Sequence, residues 1–190
     1  MKQVLNVYKA VGKTPLETIE AVRTQMPQYT DATIGYAGRL DPMAEGVLLL
    51  LVDEENKKRD KYLELDKEYE LTVLFGVATD TYNVLGRIIA TGSDLVDDEA
   101  LRKLAQSFIG EINQQFPPYS SKTVNGKPLY WWARAGRLGE ITIPSEKRRI
   151  MAFDCIDTAS RGKQALMQEV LGKIESVSGD FRQQAIRKDW

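Results

Sequence analysis

One stretch of the chain, Gly35-Tyr36-Ala37-Gly38-Arg39-Leu40-Asp41-Pro42-Met43-Ala44-Glu45-Gly46, gathers residue types that could do chemistry together. Asp41 is a carboxylate with a reference pKa of about 3.9, so at neutral pH it is ionised and available as a nucleophile or proton acceptor. The glycines imply special backbone angles or close approach. The apolar run Val47 to Val52 comes directly after. A carboxylate just before it would sit on a rigid base facing open space, as reacting groups are commonly mounted. The same letters have a plainer reading, because Asp is a good helix N-cap and Pro suits the position after it.

Whatever chemistry the chain performs, it does without histidine. There is none in 190 residues, and the one cysteine is Cys155. Ser-His-Asp and Cys-His nucleophiles are therefore excluded. So are histidine-ligated or multi-cysteine metal sites and a disulfide within the chain. Acid–base work must fall to Asp, Glu, Lys, Tyr or Arg. With 43% apolar and 28% charged residues, the composition is that of an ordinary globular protein. Its longest apolar run, Val47 to Val52, is far short of the roughly 18 residues that span a bilayer. The opening MKQVLNVYKAVGK has no signal-peptide core. The expectation is a cytoplasmic chain with no membrane partner.

The net charge of −1 conceals an uneven distribution. Residues 120–150 hold Lys122, Lys127, Arg134, Arg137, Lys147, Arg148 and Arg149 against Glu140 and Glu146, a net +5. The remainder is acidic. The cationic segment also carries Tyr130, Trp131 and Trp132, with Tyr119 just upstream. Cations interleaved with aromatics offer charge to phosphates and flat faces to bases. A solvated loop beside a hydrophobic anchor has the same composition.

The elements that must position these residues can be inferred from periodicity and breakers. Gln3 to Lys9 reads as a strand. Thr14-Pro15-Leu16-Glu17 is a capping box, and Leu16, Ile19, Val22 and Met26 continue it as a helix. Gly46 to Val52 has strand length, although helix fits too. Glu54 to Leu65 is charged and helix-like. Lys67 to Phe75 alternates as a strand, with Leu85 to Ala90 as its hairpin partner. Ser93 to Phe108 predicts a helix with Leu101, Leu104, Ala105 and Phe108 inward. Gln114 to Pro128 reads as irregular and Leu129 to Ala135 as a short helix. Lys147 to Ile156 predicts a strand. Leu166, Val170, Ile174 and Val177 mark another helix, and helical turns cover Asp180 to Trp190. Strands and helices mix without strict βαβ alternation, so the expected fold class is α+β, with a mixed, largely antiparallel sheet flanked by helices. Neither GxGxxG nor GxxxxGK[ST] is present to suggest a nucleotide cofactor.

Four blocks together resemble the TruB-type tRNA pseudouridine synthases. Lys9-Ala10-Val11-Gly12-Lys13-Thr14-Pro15 is similar to the family's opening Lys-Pro-x-Gly-x-Thr-Ser. Gly35 to Leu48 resembles Gly-His-x-Gly-Thr-Leu-Asp-Pro-x-Ala-x-Gly-Val-Leu, whose Asp is catalytic and falls on Asp41. Lys67-Glu68-Tyr69 and Gly76-Val77-Ala78-Thr79-Asp80-Thr81 resemble the Lys-x-Tyr and Gly-x-x-Thr-Asp-Thr blocks. Gln115 to Lys122, then Gly126, Tyr130 and Ala133-Arg134-x-Gly136, resemble the family's Gln-x-Pro-Pro-x-Tyr-Ser-Ala-x-Lys segment.

The resemblance implies a pseudouridine-synthase-like fold in one catalytic-type domain over residues 1–190, with 113–146 as an RNA-gripping insertion. It implies an isomerase acting on a flipped-out uridine, most often in the tRNA T loop. Asp41 would be the catalytic carboxylate, and Tyr69 would stack on the base. Tyr36, Arg39, Lys67, Thr79, Asp80, Tyr119, Lys122, Tyr130 and Arg134 would serve RNA or base binding. The reaction has no net redox or hydrolysis, so no cofactor or metal is expected. The expected partner is RNA, the tRNA T arm above all, and the chain is expected to be a monomer. A relative that binds RNA without catalysis, keeping the fold, is the alternative.

The blocks also depart from the family. Tyr36 stands where it has His, Arg39 where it has Thr, and Asn83 where a second Asp is usual. A closing Gly-x-Tyr-x-Arg-Ser-Leu-like strand, whose Arg pairs with the catalytic Asp, and a PUA domain are not read before Trp190. Arg161-Gly162 and Phe181-Arg182 lack that motif's context. Arg39, two residues from Asp41, is the expected substitute partner.

Overall fold

The computed structural model describes residues 3–92 and 96–190. These divide into two compact units. One comprises the chain up to Thr72 together with Gly172–Asp180, and the other Val73–Leu171 with Phe181–Trp190.

The first unit is built on a three-stranded antiparallel sheet of β1 (Val4–Lys9), β2 (Ile34–Ala37) and β3 (Gly46–Val52), in the order β1-β3-β2. The ambiguous apolar run is thus a strand, central and flanked on both sides. Full burial of Leu48, Leu50, Leu51 and Val52 explains its lack of alternation. Between β1 and β2 lies α1 (Pro15–Gln25), which starts with the expected capping box. The Glu17 backbone N–H donates to Thr14 Oγ1 at 3.1 Å, and the Thr14 N–H donates to Glu17 Oε2 at 2.8 Å. Ile19 and Val22 of α1 join Leu5, Tyr29, Leu48, Leu50 and Val52 in one core cluster. At about 25 cal/mol per Å² of apolar surface, each such residue contributes about 1.5–3 kcal/mol to holding the sheet under α1. After β3 the chain makes a 3₁₀ turn at Asp53–Lys58 and then α2 (Arg59–Leu63).

The second unit contains three antiparallel ribbons. They are β4 (Val77–Thr79) with β5 (Ile88–Thr91), β6 (Gly110–Gln115) with β9 (Ser145–Ile150), and the short hairpin β7 (Thr123–Val124) with β8 (Lys127–Pro128). Its helices include α3 (Asp98–Ser107), α4 (Leu129–Arg134) and α6 (Gln183–Asp189). Helix α5 (Lys163–Ser176) falls on the anticipated pattern, with Val170 and Ile174 buried within it and Val177 buried just past its end. Every strand pairing among the described residues is antiparallel, and the fold is α+β.

Several expectations need correction. Lys67 to Phe75 is not a strand. Its expected partner region pairs with β4 instead, because the intervening loop is locked by its own bonds. The Asp80 N–H donates to Arg87 O at 3.0 Å, and the Arg87 N–H donates to Asp80 Oδ1 at 2.9 Å. These fix a tight loop that leaves only Val77–Thr79 opposite β5. Tyr69, Leu71, Val73 and Phe75 remain exposed. The α3 helix starts at Asp98 on an Asp97 N-cap, and the anticipated positions 93–95 lie outside the described residues. Of its four expected inward residues, Ala105 is buried while Leu104 and Phe108 are exposed. Phe108 packs at a tilt on Phe153, ring centroids 6.0 Å apart. The stretch expected to be irregular after Gln114 contains the β7–β8 hairpin, turned by Asn125 (φ +49°) and Gly126 (φ +74°). Asn-Gly favours this turn because both positions need positive φ.

Candidate functional site

Asp41 lies exposed between β2 and β3 of the first unit. Two backbone bonds shape its turn. The Ala44 N–H donates to Asp41 O at 2.9 Å, and the Gly12 N–H donates to Pro42 O at 2.8 Å. The second ties the β1–α1 loop to the Asp41 turn, so the first and second sequence blocks are physically one structure. Gly12 has φ +80°, and a Cβ there would meet Ser176 O at 2.4 Å. No other residue type fits that loop. Gly46 (φ +125°) brings the turn into β3 directly opposite Lys9 of β1.

Lys9 heads the first family block, yet sequence reasoning assigned it no role. It is fully buried, and its Nζ donates to Lys13 O at 2.8 Å and Ala10 O at 3.1 Å. Burial pushes its pKa below the usual lysine value, against upward pulls from Asp41, Glu17 and Glu45. The ammonium thus cross-links the β1–α1 loop from inside and lends positive potential to the Asp41 turn. The available signal was the alternation Leu5, Val7, Lys9, which places a lysine on an inward strand position. Beside it, the Tyr8 hydroxyl donates to the Glu45 carboxylate, which raises the tyrosine pKa.

Of the predicted residues around Asp41, Tyr36 projects from β2, with the Arg59 guanidinium 5.7 Å from its ring centroid. Arg39 is exposed and, with Lys13, Thr14, Leu16, Tyr36 and Pro42, lines a cavity of about 190 Å³. Arg39 forms no ion pair with Asp41, so the anticipated substitution of one arginine for another is not made. Tyr69 is 69% exposed and forms no hydrogen bond with Asp41. Lys67 turns back on α2, donating to Leu63 O and Leu65 O at 2.7 Å each.

The second unit gathers two predicted residues, Asp80 and Tyr119, and one that was set aside, Arg182, into one network. Arg182 Nη1 donates to Asp80 Oδ2 at 2.8 Å and to the Tyr119 hydroxyl at 2.9 Å, and Nη2 donates to Asp80 Oδ1 at 3.1 Å. The guanidinium carbon also sits 4.4 Å from the Tyr119 ring centroid. Burial pulls the Asp80 carboxyl upward. The Arg182 hydrogen bonds, the Arg87 N–H, the Arg182 charge and Tyr119 outweigh it and hold the pKa below the usual range. Asp80 in turn raises the Arg182 pKa. Arg182 has φ +63°, a left-handed conformation that costs a non-glycine residue about 1 kcal/mol or more and persists only when its surroundings enforce it. The Phe181-Arg182 pair, which lacks the closing motif's context, nevertheless delivers an arginine to the Thr-Asp-Thr block. The only clue in the chain was an aromatic followed by Arg shortly after α5. Thr79 is buried, its hydroxyl donating to Asn83 O at 2.8 Å. A second pair, Arg87 with Asp189, joins α6 to β5.

The aromatic–cationic segment is partly self-satisfied. Trp132 is buried, its indole N–H donating to Val124 O at 3.1 Å, and Trp131 packs on it edgewise. Lys122 lies 4.8 Å from the Phe116 ring centroid, and Lys127 and Arg137 flank Trp131 at 5.4 and 5.6 Å. Tyr130 and Arg134 are exposed on α4.

The described residues thus form an α+β fold, with an exposed carboxylate on a doubly clamped glycine turn in the first unit and an aromatic–cationic segment in the second. Residues 27–177 match the family model described as TruB family pseudouridylate synthase (N terminal domain), and the chain belongs to that family. It is 30% identical over 176 residues to the tRNA pseudouridine synthase B of Aquifex aeolicus, covering 93% of this chain and 58% of the relative. To the proteins of the same name from Syntrophus aciditrophicus and Caldanaerobacter subterraneus it is 39% and 36% identical, covering 72% and 80% of this chain and 43% and 52% of theirs. The chain spans about half the length of the curated relatives it matches. No helix among the described residues is long and apolar enough to cross a membrane.

Proposed function

We propose that the chain is a tRNA pseudouridine synthase that isomerises a flipped-out uridine of the T loop, with Asp41 as its catalytic carboxylate, in the cytoplasm. The observation that carries this reading is the turn itself. Within the span that matches the family model, the Asp41 carboxylate stands exposed, without an ion pair to any described residue, on a loop clamped by the Gly12–Pro42 bond. Such a group is accessible and held still, as a nucleophile must be.

The reaction balances within the uridine. The N1–C1′ glycosidic bond breaks, the base turns, and a C5–C1′ bond forms. The proton leaving C5 is matched by the one N1 gains. The chain therefore needs a carboxylate to assist bond cleavage and exchange, a face to hold the loose base, and contacts to grip the RNA. Tyr69 supplies the face: its exposed ring offers about 1–3 kcal/mol of stacking, on the scale of the few kcal/mol that flipping costs. Tyr36 and Arg39 border the cavity beside the Asp41 turn and contact the target nucleotide. Asp80 and Tyr119 hold Arg182 in a fixed orientation, and the three together form a rigid polar cluster for RNA contact. Thr79 buttresses that loop, and Lys67 holds the approach to Tyr69. Lys122, Tyr130 and Arg134, within the 113–146 insertion, grip the T arm by shape rather than by base sequence.

The test is conversion of a T-arm stem-loop by the wild type and by Asp41→Asn, scored as pseudouridine formed. Loss of at least about 10²–10⁴-fold is expected, the range that a positioned proton-transferring group alone supplies. Conversion that survives Asp41→Asn refutes the assignment, and binding without conversion by the wild type favours the non-catalytic relative.

A further inference from the structure

The cations of residues 120–150 divide between two structures that treat their charge differently. Around α4 they are engaged. Besides the ring contacts already described, Arg137 closes a two-bond pair with Glu140 at 2.7 and 2.6 Å. The β6–β9 ribbon is another matter. Its register runs from Gly110↔Ile150 to Gln115↔Ser145, and directly opposed residues share a face. One face carries Glu146, Arg148 and Ile150 with Gln114, Ile112 and Gly110. Ile112 and Ile150 are half-buried there, and Arg148 closes on Glu146 at 2.8 Å. The opposite face carries Ser145, Lys147 and Arg149 with Gln115, Asn113 and Glu111, all exposed. Lys147 and Arg149 form no ion pair with any described residue. The ribbon therefore neutralises one side and leaves two cations standing on the other.

We propose that the Lys147/Arg149 face of the β6–β9 ribbon is a contact surface for an RNA sugar-phosphate backbone. The assignment rests on the RNA reading above and adds the ribbon at the two ends of the 113–146 insertion, where Asn113, Gln115 and Ser145 lie, to the aromatic cluster around α4. The two cations are two residues apart on one strand, about 6.5–7 Å, far enough to take separate phosphates. Asn113, Gln115 and Ser145 add uncharged donors and acceptors suited to phosphate oxygens and 2′-hydroxyls, contacts that position without reading sequence. The face has no apolar anchor of the kind that centres a protein–protein interface, which favours a nucleic acid over an acidic protein. Glu111, opposite Arg149, is the one group on the face that opposes a phosphate.

The experiment measures binding of a fluorescent T-arm stem-loop to the full chain across a salt series. The proteins are the wild type, Lys147→Gln/Arg149→Gln and Glu111→Gln. Losing two phosphate contacts should flatten the slope of log affinity against log salt by about 1.4–1.8. Glu111→Gln should bind about two- to threefold tighter, a gain that misfolding cannot mimic. An unchanged slope in the double variant, with wild-type binding intact, overturns the ribbon assignment alone. Failure of the wild type to bind overturns the RNA reading beneath it. If the double variant loses the wild type's binding to polyglutamate, titrated in parallel, while its RNA slope is preserved, the proposal falls in favour of an acidic protein partner.

Discussion

Replacing Arg182 by Gln should destabilise the second unit by more than a surface ion pair is worth. The Asp80 and Arg182 side chains are only 21% and 24% exposed, and the pair is two-bonded at 2.8 and 3.1 Å. Fully exposed pairs contribute about 0–1 kcal/mol, and breaking a buried one costs about 3–5 kcal/mol. This pair lies between, so about 2 kcal/mol is expected at pH 7, with about 0.5–1 kcal/mol of it from the cation–π contact with Tyr119. Because Arg182 also holds a left-handed backbone, release of strain offsets part of the loss. A double-mutant cycle with Asp80→Asn separates that part from the pair itself, for which about 1–2 kcal/mol of coupling is expected. The sign of the pH dependence is set by Asp80. Its folded pKa lies below the unfolded value of about 3.9, so its contribution is full above that value and fades as pH falls through the folded pKa. The coupling should therefore be equal at pH 7 and 6 and shrink below about pH 4. Urea unfolding monitored by tryptophan fluorescence gives all four corners of the cycle. A coupling under about 0.3 kcal/mol at pH 7, or one that grows on acidification, would refute the reasoning.

The other expectations concern the support of the Asp41 turn. Gly12→Ala combines a strained φ of +80° with a Cβ 2.4 Å from Ser176 O, so a loss of about 2–3 kcal/mol is expected. On the proposed function it should also lower pseudouridine formation at temperatures where the variant is still folded, because the Gly12 N–H to Pro42 bond must shift; unaltered stability contradicts the clamp. Thr14→Ala removes one half of the capping box and should cost about 1 kcal/mol in a urea titration.

Much of the first unit could be read from the chain because its signals are local. The capping box at Thr14–Glu17 and the helix it starts depend on residues within one turn of each other. The apolar run at Gly46–Val52 and the glycines around Asp41 carry their own backbone demands. The four family blocks were likewise legible as text. The Lys67–Phe75 alternation was misleading for a physical reason. A pleated pattern offers a face, but a strand also requires a partner. The Asp80–Arg87 bonds placed the partner against Val77–Thr79. Similarly, Leu104 and Phe108 have helical spacing, yet spacing cannot say whether another element covers them.

By itself, the order of residues determined which kinds of chemistry are excluded. Without histidine and with a single cysteine, histidine-based nucleophiles and multi-cysteine metal sites fall away and Asp, Glu, Lys, Tyr or Arg remain, among which the family blocks singled out Asp41. Tertiary structure alone decided how charges far apart in the chain are used. It turned Lys9 inward to cross-link the loop behind Asp41, delivered Arg182 to Asp80, and split one cationic segment into an engaged arm and an open ribbon face. Charge along a sequence is additive and blind to neighbours, whereas the energy of a charge depends on its burial and on which groups the fold brings within a few ångströms.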